Sequence, residues 1–222
     1  MDFFNSIFRF SIEELPYVII TLVIAFTIHE FAHAYVAYKF GDSTAKNQGR
    51  LTLNPVQHID PIGALFLLIA GFGWARPVPV NRYHFKNPRL AGVLVSLAGP
   101  ISNLLLATIG YAVIYGSMAA GIADGLPFYV LDFLEFFISI NVLLFVFNLI
   151  PLPPLDGYRI VEDLVPTNVR AKMTQFEQHG TLIFLILVII PPLNQITIQP
   201  IFNTVIPWVY SVLQSIFIAI FF

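Results

Sequence analysis

The placement of charge along the chain constrains its fold more than any other feature, because long stretches contain no Asp, Glu, Lys or Arg at all. A charged side chain at the bilayer centre costs at least about 2.5–3.5 kcal/mol on insertion scales, so charge-free stretches near 20 residues mark membrane spans. Four stretches qualify. Residues 17–38 carry one charge, Glu30, while residues 90–123, 136–155 and 181–222 carry none. The last is long enough for two helices, and Pro191, Pro192, Asn194, Gln195 and Gln199 divide it into a short helix near 181–190 and another near 201–221. The expectation is an all-α polytopic membrane protein with about five transmembrane helices. Charged residues make up only 11% of the 222 and hydrophobic ones 57%, which excludes a soluble domain and a disordered chain. A net charge of -2 without a run of like charge leaves no nucleic-acid footprint, and the lack of Cys removes disulfides and thiolate metal sites.

Residues 62–75 form a shorter apolar stretch with three glycines, Gly63, Gly71 and Gly73. That length favours a re-entrant or hairpin element over a span. If it dips in and returns, Lys39, Lys46, Arg50, Arg76, Arg82, Lys86, Arg89, Arg159, Arg170 and Lys172 share one face, leaving only Arg9 on the other. The positive-inside rule makes that face cytoplasmic and the N-terminus external. Ala32-His33-Ala34 resembles a signal-peptide cleavage pattern, but the preceding segment is too long for such a peptide and begins with acidic residues. Residues 1–14, with Phe3, Phe4, Ile7, Phe8 and Phe10 among polar neighbours, read as an amphipathic interfacial helix. The whole chain, residues 1–222, is expected to be one membrane-embedded domain in the cell membrane.

His29-Glu30-Phe31-Ala32-His33 lies inside the first span and reads H-E-x-x-H. On a helix the two histidines share a face about 6 Å apart along the axis and reach one metal ion, while Glu30 falls on an adjacent flank, suited to a general base. With five His in the chain, chance gives roughly 0.003 such matches. Catalytic zinc takes three protein ligands and leaves a position for water. The best third ligand is Asp156 in Asn148-Leu-Ile-Pro-Leu-Pro-Pro-Leu-Asp156-Gly157, where Pro151, Pro153 and Pro154 stop the third span. The alternative for Asp156-Gly157 is an ordinary turn.

The pair HEFAH and NLIPLPPLDG resembles the site-2 protease family of intramembrane zinc metalloproteases, in its compact prokaryotic form. Two further segments match: Gly49-Arg-Leu-Thr-Leu-Asn-Pro55 continuing to His58-Ile-Asp-Pro61, and Ser96-Leu-Ala-Gly-Pro100-Ile-Ser-Asn103. The resemblance covers residues 17–165, the expected catalytic core, and no PDZ domain is visible. It implies one zinc ion per chain held by His29, His33 and Asp156, water activation by Glu30, and substrate contact by Asn148. The substrate class it implies is a transmembrane protein or peptide, cut near the cytoplasmic face.

Weaker expectations attach to other residues. Asn103 is read as a cross-helix hydrogen bond or a substrate contact, and Gly99 and Ser102 as close helix packing. His58 and Asp60 are expected in a solvated loop, His84 and His179 exposed, and Asp132 and Glu135 solvated at the external end of their span. The segment from Gly71 through Gly73 to Val78 and Val80 reads as a bent hairpin with a free edge, a template for an extended substrate. Two rivals from other classes are a membrane metal transporter, which needs no base at Glu30, and a non-catalytic scaffold that binds membrane helices.

Overall fold

Pro16 opens α1 (Leu15–Lys39) at a position where a missing amide costs no hydrogen bond. The computed structural model describes residues 11–70 and 73–222. After α1 come a single turn, Thr44–Asn47, and the short α2 (Pro61–Ala70). The helices α3 (Pro88–Ala119), α4 (Phe128–Asn148), the short α5 (Asp156–Leu164), α6 (Thr167–Ile189) and α7 (Pro191–Phe221) follow. Among the described residues there is no strand, and α1, α3, α4 and α7 are the four helices long and apolar enough to cross a bilayer.

Four replaces the expected five, for a physical reason. The apolar segment 181–190 is the end of α6, whose first half carries Arg170, Lys172, Glu177 and His179. Its roughly ten apolar residues rise about 15 Å, half the hydrocarbon thickness. α7 also starts at Pro191 rather than near 201. Pro191 and Pro192 occupy its first turn, Asn194 Nδ2 donates to the Val188 carbonyl (3.2 Å), and the Thr197 hydroxyl donates to the Leu193 carbonyl (2.6 Å). Asn194, which looked like an interruption, thus has its amide nitrogen satisfied by the backbone. α4 begins at Phe128, with Asp132 and Glu135 exposed in its first turns, so the charge-free window marked its end but not its start. The expected interfacial helix lies almost wholly outside the described residues.

Small residues let the helices approach closely. α1 buries Thr21, Ala25, Ala34 and Ala37, and α3 turns Ala91, Ser96, Gly99, Asn103, Ala107 and Gly110 inward. One apolar cluster joins Ala107 and Tyr111 to Ile138, Val142 and Val146 of α4 and to Val209, Leu213 and Phe217 of α7. A second joins Ile150 and Leu155, beyond the end of α4, to Phe184 and Ile198. α7 therefore runs antiparallel to α4.

The two ends of the 62–75 element meet. Ile59 and Ala75 form an isolated antiparallel bridge, and the Arg76 amide donates to the His58 carbonyl (2.8 Å). Asp60 Oδ1 caps α2 by accepting from the amides of Ile62 (2.9 Å) and Gly63 (2.8 Å). The expected edge strand is thus an extended segment with one bridge, not part of a sheet; Gly71 lies outside the described residues.

Candidate active site

A 25-residue helix brings His29 and His33 to one face, and both rings are buried. Asp156 reaches them from the opposite end of the sequence because α4 stops at Asn148, the proline-rich turn reverses the chain, and α5 opens on Asp156. Gly157 is required there: a Cβ would collide with the Leu149 and Ile150 carbonyls. The result is a tight trio. His29 Nε2 lies 3.2 Å and His33 Nε2 3.3 Å from Asp156 Oδ2, and the two Nε2 atoms are 3.0 Å apart.

The outer nitrogens fix the tautomers. His29 Nδ1 donates to Asn103 Oδ1 (2.7 Å) and His33 Nδ1 donates to the Val95 carbonyl (2.7 Å). Both partners are acceptors, so each Nδ1 carries the proton and each Nε2 turns a lone pair toward the other and toward a carboxylate. Asp156 Oδ2 makes no hydrogen bond with a described residue. Three mutually facing acceptors form an unfavourable cluster unless a cation sits among them, and two imidazoles with a carboxylate suit zinc. His29, His33 and Asp156 form the metal-capable group, with ligand atoms within 4.8 Å of one another. Gly99 supplies the space, since a Cβ there would strike both Nε2 atoms.

Glu30, also buried, stands beside this group without belonging to it, and its Oε2 accepts from the Val78 amide (2.9 Å). The amide that a free-edge reading offers to substrate is therefore engaged by Glu30. A cavity of about 510 Å³ opens over the site, lined by His29, Glu30, His33, Val78, Asn148 and Asp156 among others. Gly73 is also on its wall. Asn148 Nδ2 donates to the Leu144 carbonyl of its own helix (2.9 Å), leaving its oxygen available. Asn103 is fully buried; besides holding His29, it donates through Nδ2 to Asn141 Oδ1 (3.1 Å), so its polar atoms face helices rather than the cavity.

Several residues take places that the sequence did not assign them. Asn141 is one, signalled only by its place in a charge-free span. Arg50, buried, donates to the carbonyls of Arg76 (2.6 Å) and Pro77 (3.3 Å). His58 is not solvated as expected: it is wholly buried, with Nε2 bonded to the Thr52 carbonyl (2.8 Å), because the 50–58 loop packs beneath the 75–78 segment. His84 is exposed, as expected, and donates through Nδ1 to Asp42 (2.9 Å). Burial alone would raise the Asp42 carboxyl, but hydrogen bonds from the Thr44 hydroxyl, His84 and the amides of Asn81 and Thr44 hold it below its ordinary value. Arg82 and Arg159 on the cavity wall are tied back to α5, Arg82 to Asp163 and Arg159 to Glu162 (3.3 Å).

Residues 118–191 match Peptidase family M50. A protein of Bacillus subtilis (strain 168) named "Putative zinc metalloprotease YwhC" is 58% identical over 195 residues, covering 85% of this chain and 87% of that one. "Putative zinc metalloprotease Rip2" of Mycolicibacterium smegmatis is 33% identical, covering 83% of this chain and 73% of its own length. Its namesake in Mycobacterium tuberculosis H37Rv is 31% identical over 78% of this chain and 66% of its own length. No solved structure matches. With a histidine pair and an aspartate converging beside a glutamate, and with relatives of this identity and coverage, the chain belongs to peptidase family M50, the site-2 protease family of zinc metalloproteases.

Proposed function

We propose that the protein is an intramembrane zinc metalloprotease that hydrolyses peptide bonds of transmembrane substrates near the cytoplasmic side, with one zinc ion per chain. The observation that carries this reading is the convergence of His29 Nε2, His33 Nε2 and Asp156 Oδ2 beside Glu30, among helices long enough to cross a membrane. When bound, zinc supplies Lewis acidity that polarises a carbonyl and makes water a nucleophile near neutral pH. The protein's own groups do the rest. His29, His33 and Asp156 hold the ion, with Asn103 and the Val95 carbonyl orienting the rings. Glu30 takes the proton from the attacking water and delivers it to the departing amine. Asn148, Gly73 and the 77–80 segment line the space for an unwound stretch of substrate, and a helix must unwind because its carbonyls are otherwise occupied. Removal of zinc from the purified protein by a chelator should stop cleavage of a transmembrane substrate, and zinc should restore it. Undiminished cleavage in the metal-free protein would refute the reading.

The orientation follows from the basic residues. Arg82, Arg159 and Arg170 share the carboxylates of Glu162 and Asp163 on α5, and Arg89, at the start of α3, donates to Thr167 at the start of α6. An excess of Lys and Arg marks the cytoplasmic side. On that rule, our reading has the metal-binding group toward the cytoplasm, the start of α1 outside and 62–75 re-entrant. Single cysteines at Lys46 and Lys86 in this Cys-free chain should both react with an impermeant thiol reagent only from the cytoplasmic face. Labelling from opposite faces would mean that 62–75 crosses.

A further inference from the structure

The Gly49–Pro55 segment was singled out by its pattern, yet nothing in the zinc chemistry uses it. Its buried Arg50 has no role in holding metal, and its hydrogen bonds go to main-chain carbonyls rather than to a carboxylate. One of those carbonyls belongs to Pro77, and the same peptide unit presents the Val78 amide to Glu30. Among the described residues the only cis bond is Pro153-Pro154, so the Pro77–Val78 peptide is trans and its carbonyl and amide point opposite ways. A single peptide plane therefore lies between a guanidinium and Glu30. A cation on the carbonyl polarises the amide and strengthens the hydrogen bond it donates, as in any chain of hydrogen bonds.

Arg50 is not needed merely to keep this segment in place. Ala75 is bridged to Ile59, Arg76 donates to His58, and the Asn81 amide donates to Asp42 Oδ2 (2.6 Å), so the chain is tied on both sides of the peptide plane. Its bond to the Arg76 carbonyl adds to those ties, and what Arg50 gives that they do not is its donation to the Pro77 carbonyl of that plane. We propose that Arg50 is a positioning residue for peptide hydrolysis, which through the Pro77–Val78 peptide sets the hydrogen bond that aims Glu30. The inference rests on the assignment of Glu30 as the base.

The test uses the full-length zinc-loaded protein and a transmembrane substrate, with kcat, KM and zinc per chain measured together. Three changes are compared: Arg50→Gln, Arg50→Lys, and an amide-to-ester replacement at Val78 that deletes the N–H and weakens the Pro77 carbonyl as an acceptor, so that it acts on the same linkage. Arg50→Gln and the ester should each lower kcat by about 10- to 100-fold, the range for losing a hydrogen bond to a charged group, with KM within about twofold and zinc unchanged. Arg50→Lys, which keeps the cation but not the fork, should recover part of the loss. Combining Arg50→Gln with the ester should be no worse than the worse single change, because both act through one contact. A rise in KM at unchanged kcat, additive losses in the combination, or loss of zinc from Arg50→Gln would overturn the proposal. Wild-type activity in Glu30→Gln would instead refute the underlying assignment of the base.

Discussion

Glu30→Gln is expected to retain zinc and to lose cleavage of a transmembrane substrate by about 10²- to 10⁴-fold, the usual contribution of a general base. Glu30 lies outside the trio whose ligand atoms converge, so its charge is not needed to hold the ion. Its Oε2 accepts from the Val78 amide, and the carbonyl oxygen of a glutamine at this position still accepts there. The replacement therefore preserves the orientation of the side chain and removes only its capacity to take up a proton. Elemental analysis alongside a cleavage assay checks both halves. Cleavage at the wild-type rate would end the assignment, and a parallel loss of zinc would make Glu30 a ligand.

The converse experiment separates metal binding from the base. His29→Ala, His33→Ala and Asp156→Ala should each lower zinc affinity by more than the roughly 10- to 100-fold typical of losing a group behind a ligand, and cleavage should disappear with the metal. Gly99→Ala should give the same result although it removes no ligand atom, because its methyl would press into the space between the two Nε2 atoms. A backbone in the middle of α3 cannot easily withdraw, since it is packed against both α1 and α4. Full zinc occupancy in Gly99→Ala, measured by competition with a chromophoric chelator, would show that the histidines move apart and that the cradle is not tight.

The parts of this protein that sequence revealed are those governed by one-dimensional rules. Charge-free length located four membrane helices, and helical spacing brought His29 and His33 to one face. The failures share a different physical origin. The break expected in 181–222 does fall at Ile190, but the second helix was started near 201 because Pro and Asn usually punctuate, whereas α7 runs from Pro191 with Asn194 bonded back to the Val188 carbonyl and Thr197 to the Leu193 carbonyl. His58 reads as a loop residue until Arg76, far along the chain, donates to its carbonyl and seals it in. The same holds for Arg50, whose neighbours in sequence give no sign that Pro77 lies against it. Asn103 was legible as a polar residue needing a partner, but the partner, an imidazole on one side and Asn141 on the other, is a fact of three helices at once.

That amide chain, from His29 through Asn103 to Asn141, bears on how the protein assembles. Each of α1, α3, α4 and α7 is apolar enough to enter a bilayer independently, and hydrocarbon exerts no pull that would favour one sliding offset between helices over another. Moving α4 by a single residue shifts it about 1.5 Å and turns it by about 100°, which would break the amide–amide hydrogen bond from Asn103 to Asn141 and leave Asn141 Oδ1 facing apolar surroundings. The two amides thus act as a vernier for the bundle, tying the helix that carries the histidines, the helix beneath them and the helix leading to the aspartate to a single common alignment.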